Sequence, residues 1–204
     1  MKHVTVLAAA ISACLLTGSM ALAQETGTTT TRQEGETRDE ASRTQRTADA
    51  SGMRRSKMDT AEFVKKAGVA GVAEVEAGKL GAQKATSPEV KAYAQQMVTD
   101  HTKANKELMA AAKSKNLEVP TEPDMLHKGM MEKFERQEAD ADFDHDFMQQ
   151  MVRDHEAVIE LYQNASTDQN VDPELRSLAK KTLPTLQSHL KHAQELEGKL
   201  DKKQ

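Results

Sequence analysis

Along residues 59–200 apolar side chains return every three or four positions, the spacing of one face of an α-helix. Asp59 stands where it can cap a first helix, with Glu62 three residues on as in a capping box, and the segment runs to Lys84 without a proline. Thr86-Ser87-Pro88 is a boundary, with Ser87 as the expected N-cap and Pro88 at the first helical position. A second helix then reaches about Asn116, with Val90, Ala94, Met97, His101, Ala104, Leu108 and Ala111 on one stripe. Leu117-Glu118-Val119-Pro120-Thr121-Glu122-Pro123 breaks the chain, and a short amphipathic helix follows from Asp124 to about Glu138.

A further long helix is predicted over about 142–165, placing Phe143, Phe147, Met151, His155, Val158 and Tyr162 on one face. Asp172-Pro173 opens the last one, whose seam carries Leu175, Leu178, Thr182, Leu186, His189, Ala193 and Leu196; Pro184 inside it should kink it. Four long helices at 1.5 Å per residue predict an all-α four-helix bundle. The short turns make two antiparallel hairpins. The connection between the second and third long helices, roughly 25 residues with its own short helix, is long enough to cross the bundle. Gly68, Gly71, Gly78 and Gly81 in the first helix read as places where another helix approaches closely; with no strand before them they have no dinucleotide context.

Upstream of residue 59 the pattern changes twice. Residues 1–23 have Lys2 near the start, an apolar stretch from Val4 to Leu16 and small residues at Ala21 and Ala23, which reads as a signal peptide cleaved after Ala23. The segment is too short for a stable membrane span. Cys14 offers a rival reading as a lipidation site, against which stand the apolar Leu15 and Leu16 that follow it. Residues 24–58 are rich in Thr, Arg and Glu, with no large aliphatic residue before Met53, and read as a disordered linker. The expected organisation is therefore a signal peptide over 1–23, a linker over 24–58 and a helical domain over 59–204, in the periplasm and with no membrane span. Loss of the signal also removes Cys14, and with it disulfides and thiolate chemistry.

Composition narrows the classes of function. The 204 residues are 29% charged and 3% aromatic with a formal charge of −4 and no Trp, which speaks against a nucleic-acid binder with its basic stripe and stacking rings. Ala and Met on the helix faces leave room for a homo-oligomer.

The chemistry lies in what interrupts the apolar seams. Gln95-Gln96-Met97-Val98-Thr99-Asp100-His101 and Gln149-Gln150-Met151-Val152-Arg153-Asp154-His155 nearly repeat, each placing a Met and a His four apart on one helical face. The other two long helices offer His189 and, among Ala70, Gly71, Ala77 and Gly78, Glu74. Counting from the turns puts Glu74, His101, His155 and His189 at similar depth, in one layer. One carboxylate and three imidazoles converging in a core make a candidate metal site for copper, zinc or iron, with Met97 and Met151 as soft donors that would favour Cu(I). The competing reading is a buried polar layer that fixes helix packing and register.

Other constellations fail. No Glu-x-x-His pair occurs, so the paired motif of di-iron and di-manganese bundles is missing and oxidoreductase chemistry is disfavoured. Asp140, Asp142 and Asp144 begin like a calcium loop, but His145 stands where Gly is needed and Met151 where Glu is needed; the helix macrodipole accounts for the acids. His192 and Glu195 read as a solvated flank. No nucleophile elbow is visible, and nothing points to an enzyme.

Residues 73–108 (AEVEAGKLGAQKATSPEVKAYAQQMVTDHTKANKEL), the FxxxMVxDH stretch ending at His155 and LPTLQSHLKHAQEL (183–196) resemble the domain of unknown function 4142 family, over about 62–197. The resemblance implies export and a ferritin-like helical bundle, and places Glu74, His101, His155 and His189 at the family's polar positions without naming them ligands. The expected function is an exported bundle protein holding a metal ion in its core, in storage, buffering or stress response; the alternative is a non-enzymatic structural or interaction bundle.

Overall fold

The computed structural model describes residues 58–202, so the expected signal peptide and, but for Met58, the expected linker lie outside the described residues. Among the described residues there are five helices and no strand: α1 (Thr60–Lys84), α2 (Pro88–Lys113), α3 (Met125–Arg136), α4 (Ala141–Thr167) and α5 (Pro173–Asp201). No helix among them is long and apolar enough to cross a membrane.

Aspartates start most of these helices. The carboxylates of Asp59, Asp124, Asp140 and Asp172 accept from the backbone N–H of Glu62, His127, Phe143 and Glu174 at 2.8, 3.0, 2.9 and 2.9 Å. Each bond satisfies one of the N–H groups that a helix start leaves without a partner. Ser87 departs from expectation: its side chain makes no cap. The α1–α2 turn is held from across the fold by Asp144 of α4, which accepts from the N–H groups of Thr86 (2.8 Å) and Ser87 (2.7 Å) and from the Thr86 hydroxyl (2.6 Å). Asp144 is therefore a tertiary clasp as well as a residue near a helix start, a role that local sequence cannot reveal.

Helix α2 stops at Lys113, short of the expected Asn116, because Asn116 turns into the left-handed region at φ 58° and Leu117 N–H returns to the Ala112 carbonyl. Helix α5 runs without interruption through Pro184.

The short turns pair α1 with α2 and α4 with α5; α2 also lies against α5, and α1 against both α4 and α3. Two of the α1 glycines do what their spacing suggests. A Cβ on Gly78 would stand 2.9 Å from the Ala94 carbonyl oxygen, so α2 can approach that closely only where α1 has no side chain. At Gly81 the same bare surface seats the ring of Phe147 from α4. The Lys84 ammonium, at the end of α1, donates to the carbonyls of Phe134 (2.9 Å), Glu135 (2.8 Å) and Gln137, which ties down the C-terminal end of α3.

Buried apolar residues form two clusters. One holds Phe63 and Val64 of α1, Leu108 of α2, Ile159 and Tyr162 of α4 and Leu175 of α5. The other holds Ala77 of α1, Tyr93 and Met97 of α2, Phe143 and Met151 of α4 and Leu196 of α5. Helices α1 and α5 thus run from the first cluster to the second, and α2 and α4 run back.

Candidate metal centre

Each long helix passes from one apolar cluster to the other, and on each a single buried polar residue falls in between. On α1 Glu74 lies between Ala67 and Ala77; on α2 His101 lies between Met97 and Leu108. On α4 His155 lies between Met151 and Val158, and on α5 His189 lies between Leu186 and Ala193. All four are buried, with 3, 5, 0 and 2% of their surfaces exposed. The depth counted from the turns is the depth at which they meet.

The three imidazoles form a compact triangle. Ring centroids are 5.6 Å apart for His101–His155 and 5.4 Å for each of the other two pairs. One ring nitrogen from each lies within 4.8 Å of the other two. Glu74 joins from α1, its Oε1 3.7 Å from His155 Nδ1.

Hydrogen bonding sets the tautomers of two rings. His155 Nδ1 lies 2.8 Å from the Met151 carbonyl oxygen. A carbonyl only accepts, so Nδ1 carries the proton and Nε2 keeps its lone pair. His189 Nε2 lies 2.9 Å from Asp100 Oδ2 and donates to that carboxylate, which leaves the lone pair on Nδ1. The nitrogens left over, His155 Nε2 and His189 Nδ1, are buried with no hydrogen-bond partner, as are His101 Nε2 and Glu74 Oε2. A metal-ligating histidine is commonly held in this way, one nitrogen tied to a carbonyl or carboxylate and the other free.

Burial dictates the charge states. It pushes His155 down to about 4, the Met151 carbonyl opposing and His189 adding to the effect. It holds His101 well below the usual range, reinforced by His155 and His189, and lowers His189 despite the Asp100 carboxylate. Near neutral pH the rings are neutral, the form in which imidazole binds a metal. Glu74 is pushed well up, first by burial and then by the Asp154 carboxylate, so it holds its proton more tightly than an ordinary glutamate. Four polar groups taken out of water with four unpaired atoms between them are costly unless something completes them.

Against this geometry the sequence profile of the domain of unknown function 4142 (DUF4142) matches residues 42–196. The chain belongs to that family. No curated protein and no solved structure matches it. Membership in DUF4142 carries no assigned activity, so the chemistry has to be read from the residues.

Several residues around the DUF4142 core were invisible as participants in the sequence. Asp100 orients His189 from another helix, and it was recognisable only as part of the repeated heptapeptide. Tyr93, one turn before Met97, buries a hydroxyl without a partner and is raised by burial and by Glu74 and Asp154. Its ring meets that of His192 edge-on at 5.3 Å, so His192 is half-buried packing rather than part of a solvated flank. Met97 and Met151 are fully buried in the apolar cluster with Phe143 and Phe147.

Proposed function

We propose that this DUF4142 member is an exported, periplasmic, ferritin-like four-helix bundle whose 114–140 connection crosses the bundle. In this reading it binds one transition-metal ion through Glu74, His101, His155 and His189. The observation that carries the reading is the set of three buried ring nitrogens with no hydrogen-bond partner, two of them with their lone pairs fixed by a bond to the opposite nitrogen. A layer that served only helix register would satisfy its polar atoms among themselves. Three imidazoles and a carboxylate suit Zn²⁺, Cu²⁺ or Fe²⁺, and the apolar packing of both methionines gives no reason to favour Cu(I). Ligand nitrogens about 2.1 Å from a shared ion sit roughly 3.4 Å apart, so ring nitrogens now within 4.8 Å of one another have to draw together on binding. Export is supported by the pattern of residues 1–23.

Without an open redox pair of carboxylate motifs, storage or buffering of the ion accounts for the site better than catalysis. The test is the metal content of untagged protein purified without chelator, beside a Glu74→Ala, His155→Ala double variant. Near-stoichiometric metal in the parent and little in the variant is the expected result. Addition of the ion should also raise the melting temperature of the parent, since it binds only the native state, and that shift should vanish in His101→Leu. No metal in the parent after incubation with zinc, copper and iron would refute the reading in favour of a structural layer.

A further inference from the structure

Beside the buried layer an open cleft of about 620 Å³ is lined by residues of α1 and α4 and by the start of α3. Glu74 belongs to this cleft and also to a small enclosed cavity of about 10 Å³ that contains His101. That inner volume is of the order of a single water-sized occupant. Ala70, Glu74 and Val158 line both; Glu74 is the polar one among them, and its buried Oε2 has no hydrogen-bond partner.

The repeated heptapeptide shows how the two sides of the layer differ. In both copies a Gln four residues earlier holds the Asp: Gln96 Nε2 donates to Asp100 at 3.3 Å, and Gln150 Nε2 to Asp154 at 2.8 Å. In the α2 copy Asp100 goes on to meet His189, so the carboxylate has a donor from the core. In the α4 copy Asp154 lines the cleft, as does the buried carboxyl of Glu74.

His127 and Asp124 line the same cleft. The Asp124 carboxylate lies 2.6 Å from His127 Nδ1, which leaves Nε2 for another partner. Of the cleft's lysines, Lys66 is tied to Glu62 at 2.7 Å, and Lys65 stands exposed at the rim.

We propose that this cleft is the loading route of the core site: Asp154 and His127 capture a hydrated divalent transition-metal ion, and Glu74 hands it inward to the three histidines. The inference rests on the metal-binding reading and adds to it the direction of approach and the residues that act in transit. Asp154 and His127 are transit residues, not members of the final ligand set, so their loss changes rate and leaves the bound state alone.

The experiment follows Co²⁺ alone, whose ligand-field absorption reports an ordered nitrogen and oxygen site, mixed by stopped flow with the untagged metal-free protein. In Asp154→Asn and His127→Gln the bands should appear about tenfold more slowly than in the parent, the scale on which local charge concentrates an ion, and reach the same final amplitude. A variant outside the cleft, Glu118→Gln, at a residue that lines a separate pocket with Met109 and Asn116, should load at the parental rate. Equal rates in the parent and in both cleft variants, with full final amplitude, would overturn the route while leaving the core site standing. A lower final amplitude in Asp154→Asn or His127→Gln would also overturn it, because those residues would then belong to the bound state. No Co²⁺ retained by the parent would remove the metal-binding reading and the route together.

Discussion

Acidification should unfold the metal-free protein through its buried histidines, and His155 gives that effect a magnitude. Its folded-state pKa is about 4 against an ordinary value of 6.5, so between those limits the unfolded chain binds a proton that the folded chain refuses. Stability must then fall as pH falls through that window. Going from about pH 7.5 to about pH 5, His155 alone removes about 2 kcal/mol, and the full displacement is worth about 3 kcal/mol below pH 4. His101 and His189 are displaced in the same direction and add to the loss. Glu74 acts with the opposite sign: its folded pKa is raised, so the folded state takes up the proton first and gains stability as pH falls toward 4.5. The difference between the protein and His155→Gln isolates the histidine from that compensation. Urea unfolding followed by circular dichroism in chelator, at a series of pH values, reads both slopes. The parent should lose about 2 kcal/mol more than the variant over that range, whatever the variant's absolute stability. Parallel curves, or a parent that gains stability on acidification relative to the variant, would refute the claim that His155 is folded as a buried neutral base.

Three further outcomes follow from particular contacts. Metal binding should release a proton from Glu74 in an amount that grows as the pH is lowered, measured by calorimetry in buffers of different ionisation enthalpy, because the raised carboxyl must ionise to become a ligand; Glu74→Gln should abolish the release. Gly78→Ala should cost about 1–3 kcal/mol by pushing a Cβ against the Ala94 carbonyl oxygen, whereas Gly129→Ala, with nothing within 4 Å on α3, should gain up to about 1 kcal/mol; denaturant midpoints compare the two. Asp144→Ala should cost about 2–4 kcal/mol in the same assay, since it removes three hydrogen bonds between a buried carboxylate and the α1–α2 turn.

The helices, their order and most of their ends follow from the sequence for a local reason. Apolar positions three and four apart, with Asp59, Asp124, Asp140 and Asp172 at the starts, decide helix and cap within a few neighbouring residues. The four members of the polar layer were also legible, because each interrupts an otherwise apolar stripe and the rise per residue is constant, so counting from a turn measures depth. The tertiary structure decided everything that depends on which face meets which. Asp144 reads as an ordinary acid near a helix start until α4 brings it against the α1–α2 turn. Asp100 and Asp154 occupy matching places in one repeated heptapeptide, yet one meets His189 and the other a cleft that ends on Glu74. Rotation of a helix about its axis and the identity of its neighbour are set by packing over the whole domain, and no local pattern records them.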